Sequence, residues 1–162
     1  MLTLHGNAGA GFRAATNLSR KGRSTARIED RVRIYALPRF AKDTVKLGLD
    51  DTALAHAVTR AESGLIDAGL GLCLIKQRVA RPGQGRSGGF RTILFYKRKE
   101  RAVFLYVFPK NARANVTPGE LEALRDFAAI LAGLTDEAFD RLTREQGWKV
   151  IPNEQPEEDV SQ

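Results

Sequence analysis

The sequence predicts a single α+β domain with a mainly antiparallel sheet, and three observations carry that prediction. Residues 72–81, 89–97 and 101–108 are consecutive runs rich in Val, Ile, Phe, Tyr and Leu, joined by connections short enough for antiparallel neighbours. Helical spacing with start and stop signals precedes them over 38–64 and follows them over 117–146. A chain of 162 residues with 43% hydrophobic and 28% charged side chains suits one ordinary globular core. The resulting element order is β-α-α-β-β-β-α-α.

Residues 1–30 mix Gly, Ala, Ser, Thr and Arg without sustained periodicity and read as a mobile basic tail. The folded domain is expected over 31–151, followed by an acidic tail over 152–162. Arg31-Val32-Arg33-Ile34-Tyr35 alternates basic and apolar residues as a half-buried strand does. Pro38 to Leu47 forms a short helix stopped by Gly48. The next helix opens with Asp50 or Asp51 as N-cap, sets Leu54, Val58, Ala61 and Leu65 on one stripe and meets Gly64 near its end.

Of the three strand runs, the first two are joined by a Gly-rich loop of seven residues, Pro82 to Gly88, and the last two by a charged hairpin turn, Lys97 to Arg101. The third is apolar on both faces, with Phe104, Tyr106 and Phe108 on one and Val103, Leu105 and Val107 on the other, so it belongs mid-sheet with layers on both sides. Thr117-Pro118-Gly119-Glu120 is a capping box with proline at the first helical position, and Leu121, Leu124, Ala128 and Leu131 follow at helical spacing. A last helix runs from Thr135 to about Gln146.

Charge is unevenly distributed. The whole chain carries +7, but residues 73–113 hold eleven basic and one acidic side chain, whereas 114–162 hold four and eleven. A cationic segment of that density points to a polyanion site. No apolar run approaches the roughly 18 residues of a transmembrane helix. The single cysteine, Cys73, excludes an internal disulfide and reads as a small core residue in a reducing, cytoplasmic setting. The N-terminus has no continuous apolar segment of the kind a secretory signal needs.

Gly83-Gln84-Gly85-Arg86-Ser87-Gly88 matches G-x-G-x-x-G, yet the glycines lead into the strand sequence Phe90-Arg91-Thr92-Ile93-Leu94 rather than a helix. A dinucleotide fingerprint is therefore rejected, and a Walker loop lacks its lysine. The loop reads instead as a glycine-permitted carrier of Arg81 and Arg86, flanked by strands that add Lys76, Arg78 and Arg91. Register follows from burial, because a slip of one residue turns a whole strand over. Pairing Val79 with Arg91 would bury a cation. Pairing Arg78 with Arg91 sets Ile75 against Leu94 and Val79 against Phe90 on one face and gathers Lys76, Arg78 and Arg91 on the other. Such like charges repel unless an anion lies among them.

His5 falls in the tail and His56 on a helix surface, so a two-histidine nuclease has no material. Within the basic segment Glu100 is the single acid, which argues against a two-metal site. If the site catalyses anything, Lys and Arg must do most of it by stabilising charge on a phosphate, a task suited to RNA cleavage through its own 2′-hydroxyl. Phe90, Tyr96 and Tyr106 are candidates for stacking on bases, against a plainer role in the core.

The stretches Leu74-Ile75-Lys76-Gln77-Arg78-Val79-Ala80-Arg81 and Gly83-Gln84-Gly85-Arg86-Ser87-Gly88-Gly89-Phe90-Arg91-Thr92 resemble the strand, glycine loop and strand of the RelE/ParE superfamily of type II toxin–antitoxin toxins, in particular its HigB-like RelE branch. Phe108-Pro109-Lys110-Asn111 and the Leu-rich helix after it are similar to that branch's closing segment, and the likeness spans about 34 to 147. The resemblance implies a RelE-like fold and a ribosome-dependent mRNA endoribonuclease, or mRNA interferase, that needs no metal or other cofactor. It also implies a cognate antitoxin, carrying a helix-turn-helix region, as partner alongside mRNA on the ribosome. On this sequence it makes Lys76 and Lys110 candidates for proton transfer and Arg78 and Arg91 a clamp on the scissile phosphate. It leaves Arg81, Arg86 and Arg113 to hold RNA backbone. The loop departs from the branch in carrying Arg86 where lysine is usual, and Arg86 cannot readily exchange a proton. Phe108-Pro109 likewise replaces the usual Phe-Ala. Two other activities fit the same fold: DNA gyrase inhibition of the ParE kind, and non-catalytic repression by binding the ribosome or RNA.

Overall fold

The computed structural model describes residues 31–81, 89–109 and 116–153. Strand β1 (Arg33–Ala36) is followed by helices α1 (Pro38–Leu47) and α2 (Asp51–Glu62), then by β2 (Ala68–Gly71), β3 (Leu74–Val79), β4 (Phe90–Lys97) and β5 (Arg101–Pro109). Helices α3 (Pro118–Ala132) and α4 (Asp136–Glu145) and a short β6 (Lys149–Ile151) complete the order. The fold is α+β, as the sequence predicts, and is consistent with a RelE-like domain. Beyond the predicted elements it has two more, β2 and β6.

Helix α1 opens on Pro38 with no side-chain cap, whereas α2, α3 and α4 start where side chains satisfy free backbone donors. Asp50 accepts from the Ala53 amide, and Thr135 from the Ala138 amide. Thr117 and Glu120 form the predicted box, with the Glu120 amide 3.2 Å from Thr117 Oγ1 and the Thr117 amide 2.9 Å from Glu120 Oε1. Replacing Thr117 by alanine is expected to cost about 1 kcal/mol of stability, readable as a lower urea midpoint with an unchanged slope. Helix α2 ends at Glu62, so Leu65 leaves the apolar stripe and stands 59% exposed, contrary to the four-residue spacing read from sequence.

The sheet order is β2-β3-β4-β5-β1-β6, with β1 parallel to β5 and the other neighbours antiparallel. Strand β5 lies mid-sheet with buried side chains on both faces, as expected. Its face assignment departs from strict alternation. Ile93 pairs with Tyr106 but Leu94 pairs with Phe104, so Leu105 is an extra residue in a β-bulge. Phe104 consequently packs with Ala102 and Val107 beneath α1 and α2, while Val103, Leu105 and Phe108 join the core under α3 and α4. Phe40 of α1 stacks on Phe104 at 5.1 Å between ring centroids.

Strand β2 holds the sheet's edge through Ala68↔Lys76 and Gly69↔Ile75. Its turn into β3 places Leu72 and Cys73 at φ +52° and +63°, the positive values that a tight two-residue hairpin demands at both central positions. Cys73 is therefore an exposed turn residue and not the core residue its apolar neighbours suggested.

Candidate functional site

The site is built from two antiparallel strands whose register the sequence dictates. Lys76 lies opposite Ile93, Gln77 opposite Thr92, Arg78 opposite Arg91 and Val79 opposite Phe90. Gly89 fixes the end of that ladder, because a Cβ there would sit 2.1 Å from the Val79 carbonyl oxygen. Alternation then separates the two faces. Ile75, Val79, Phe90 and Leu94 enter the core under α1 and α2. On the other face, Leu74, Ile93 and Phe95 enter the core under α3 and α4, and Lys76, Arg78 and Arg91 continue the same rows.

This face changes from apolar to cationic along its length. Arg78 is exposed, whereas Lys76 and Arg91 are half-buried. The buried Nε of Arg91 has no hydrogen-bond partner among the described residues. Burial holds the Lys76 ammonium below the ordinary lysine range, with the nearby Arg91 and Arg78 guanidinium groups lowering it further and Asp67 opposing them. Desolvation thus outranks the mutual repulsion expected from sequence as the cause. A half-desolvated lysine beside two guanidinium groups can exchange a proton and neutralise an oxyanion.

Arg81 is placed differently. Its guanidinium lies 4.8 Å from the centroid of Phe90, a ring of the opposite core, so it is directed away from the three-cation face. Lys110, Arg86 and Arg113 lie outside the described residues, as do the loop 82–88, the predicted tail 1–30 and, of the predicted acidic tail, residues 154–162. Asn153, at the start of that acidic tail, donates from its side-chain amide to the Val32 carbonyl at 2.9 Å. Phe90 and Tyr96 are core residues, and the Tyr96 hydroxyl donates to Glu62. Tyr106 instead lines an apolar cavity of about 390 Å³ between β5 and α3, with Leu37, Leu124 and Phe127. His56 is exposed on α2, as predicted.

Sequence reasoning missed the polar framework behind β3. Gln77 is fully buried on the α1/α2 face. Its amide nitrogen donates to the carbonyls of Ala57 (3.0 Å) and Leu65 (3.1 Å), and its oxygen accepts from the Asp67 amide at 2.7 Å. The signal was available in the run Ile75-x-Gln77-x-Val79, where a polar residue occupies an inward position and must find buried partners. Among the described residues no group of three or more His, Cys, Asp or Glu side chains could hold a metal ion, and no helix is long and apolar enough to cross a membrane.

A family model described as the RelE toxin of the RelE/RelB toxin–antitoxin system matches residues 32–151. The chain belongs to the RelE toxin family. It is thus a toxin of a toxin–antitoxin system, and the match takes in β1 through β6 and every cation of the site. No curated protein matches the RelE-family chain in sequence.

Proposed function

We propose that this RelE-family chain is a ribosome-dependent mRNA endoribonuclease that inhibits translation in the cytoplasm until a cognate helix-turn-helix antitoxin restrains it. The observation that carries the reading is the convergence of Lys76, Arg78 and Arg91 on one face, with Arg91 Nε buried and without a hydrogen-bond partner among the described residues. A scissile phosphate suits such a face, because its oxygens accept the charge-assisted hydrogen bonds that guanidinium and ammonium groups offer.

In the proposed reaction the RNA 2′-oxygen attacks the adjacent phosphorus and the bond to the 5′-oxygen breaks, leaving a 2′,3′-cyclic phosphate and a 5′-hydroxyl. The proton of the 2′-hydroxyl passes to one amine and the leaving 5′-oxygen takes one from another. Lys76 and Lys110 are the candidates for these transfers. Arg78 and Arg91 stabilise the charge that accumulates on the phosphoryl oxygens. Arg81, Arg86 and Arg113 hold flanking backbone. No metal or cofactor enters the scheme.

The test is a cell-free translation reaction with purified protein and mapping of mRNA 5′ ends. Cuts that require the ribosome support the reading. Translation block without cuts would instead favour a binding repressor, and inhibited supercoiling in a gyrase assay would favour ParE-like action.

If Lys76 is the base, it works as the neutral amine. Because its pKa is lowered, the neutral fraction grows at a pH below that of an ordinary lysine, and cleavage should rise with pH through that lowered value. Single-turnover cleavage on preformed ribosome complexes should show this acidic limb. Lys76→Arg, which stays charged throughout, should remove it.

A further inference from the structure

Strand β2 begins at Ala68, whose partner is Lys76, so the backbone of Arg78 extends past the end of its neighbour. An edge strand left this way would present a free N–H and C=O at the residue that carries a site cation. Side chains take the place of the missing strand. Asp67 Oδ2 accepts from the Arg78 amide at 2.7 Å, and Arg60 Nη1 of α2 donates to the Arg78 carbonyl at 3.0 Å. The two side chains are themselves paired, Arg60 Nη2 lying 3.2 and 3.3 Å from the two Asp67 oxygens. The Asp67 amide is in turn held by Gln77. Both polar backbone groups of Arg78 are thus engaged by one ion pair anchored to α2 and to β3.

We infer that Asp67, held by Arg60, is a positioning residue for the cationic face: it fixes β3 at Arg78 and sets a negative charge beside Lys76. The inference rests on the reading of Lys76 and Arg78 as parts of a nuclease site. Asp67 does not itself touch substrate in this scheme, since its carboxylate is committed to Arg60 and to the Arg78 amide. Among the described residues, charges that act on Lys76 include Asp67 from the loop before β2, Arg78 from its own strand and Arg91 from β4. Helix α3, packed against β3, brings Arg125, which donates to the Leu70 carbonyl at 3.0 Å, and Glu120 at the rim of the apolar cavity.

Two substitutions separate position from charge. Asp67→Asn keeps an oxygen for the Arg78 amide and removes the negative charge, and Asp67→Ala removes both. In the free 162-residue protein, NMR titration of Lys76 should give a lower midpoint in both variants than in the wild type, because a neighbouring charge that opposes its deprotonation is gone. Hydrogen exchange at the Arg78 amide should quicken by about ten-fold or more in Asp67→Ala and less in Asp67→Asn. On ribosome complexes, the acidic limb of cleavage should move to lower pH in Asp67→Asn, a change that simple loosening of the fold would not produce. Should Asp67→Ala fail to fold, Asp67→Asn decides through the Lys76 midpoint and the limb. A wild type that cuts no mRNA sinks the nuclease reading, while the titration and exchange results still decide whether Asp67 positions this face. An active wild type with Lys76 midpoint, Arg78 exchange and pH limb unchanged in the variants overturns the inference alone.

Discussion

Arg91→Ala should lower single-turnover mRNA cleavage by about 10²–10³-fold, with ribosome binding much less affected, the effect usual for removing one preorganised donor to a developing oxyanion. The size follows from where Arg91 stands. Its strand is fixed on one side by the β3 ladder and on the other by β5, so the backbone that carries Arg91 is held in place before any substrate arrives. Its buried Nε lacks a hydrogen-bond partner among the described residues, which makes a phosphate oxygen a stronger partner there than at a solvated arginine. Arg91→Lys should recover only part of the rate, because an ammonium retains the charge without the planar fork that grips two oxygens. The measurement is cleavage on preformed ribosome complexes at saturating protein, with urea unfolding run alongside. Loss of activity matched by an equal loss of stability would mean that Arg91 merely supports the sheet. A rate within two- or three-fold of wild type would remove Arg91 from the clamp.

What the sequence discloses about this site, it discloses through incompatibility. Only one register of β3 against β4 keeps Arg91 out of the core while giving Val79 and Ile75 apolar partners, and that is the register adopted. The capping box before α3 and the central place of β5 are legible for similar reasons, since each is written in adjacent residues. The faces of β5 are less so. A bulge at Leu105 leaves no mark in a run where every residue is apolar, so Phe104 parts from Tyr106 and Phe108, which stay together, and packs with Val107 instead.

Strand β2 is hidden for a different reason. Ala68-Gly69-Leu70-Gly71 has no β-branched residue and only glycine on its outer face, and its hairpin turn uses Leu72 and Cys73 in place of the Asn-Gly or Asp-Gly that would announce it. It forms because its partner is already part of a sheet and because Arg125 anchors the Leu70 carbonyl. The Arg60, Asp67 and Gln77 framework depends on contacts between residues seven to twenty positions apart that no local pattern relates. The cations of the site could be named from the sequence. The groups that hold them in place required the fold.

The largest loss of stability from a single truncation is expected at Phe104. Its side chain is fully buried at the centre of β5, which is paired with β4 on one side and β1 on the other. It stacks on Phe40, the ring that ties α1 to the sheet. Phe104→Ala should therefore cost about 3–5 kcal/mol, combining lost transfer energy with a cavity that surrounding strands cannot close. Against a total stability of about 5–15 kcal/mol, such a loss leaves a domain that is marginally folded or unfolded at growth temperature. Phe104→Leu, which keeps most of the volume, should cost less than half as much. Urea unfolding followed by tryptophan fluorescence is suited to the comparison, because Trp148 is buried in the opposite core against Phe139. If the sheet unfolds as one unit, Trp148 must report the loss at Phe104 with a lower midpoint and an unchanged slope. Two separated transitions would show that the layers on either face unfold independently. The cationic face, whose rows continue the Trp148 side of the sheet, could then outlast the core beneath α1 and α2.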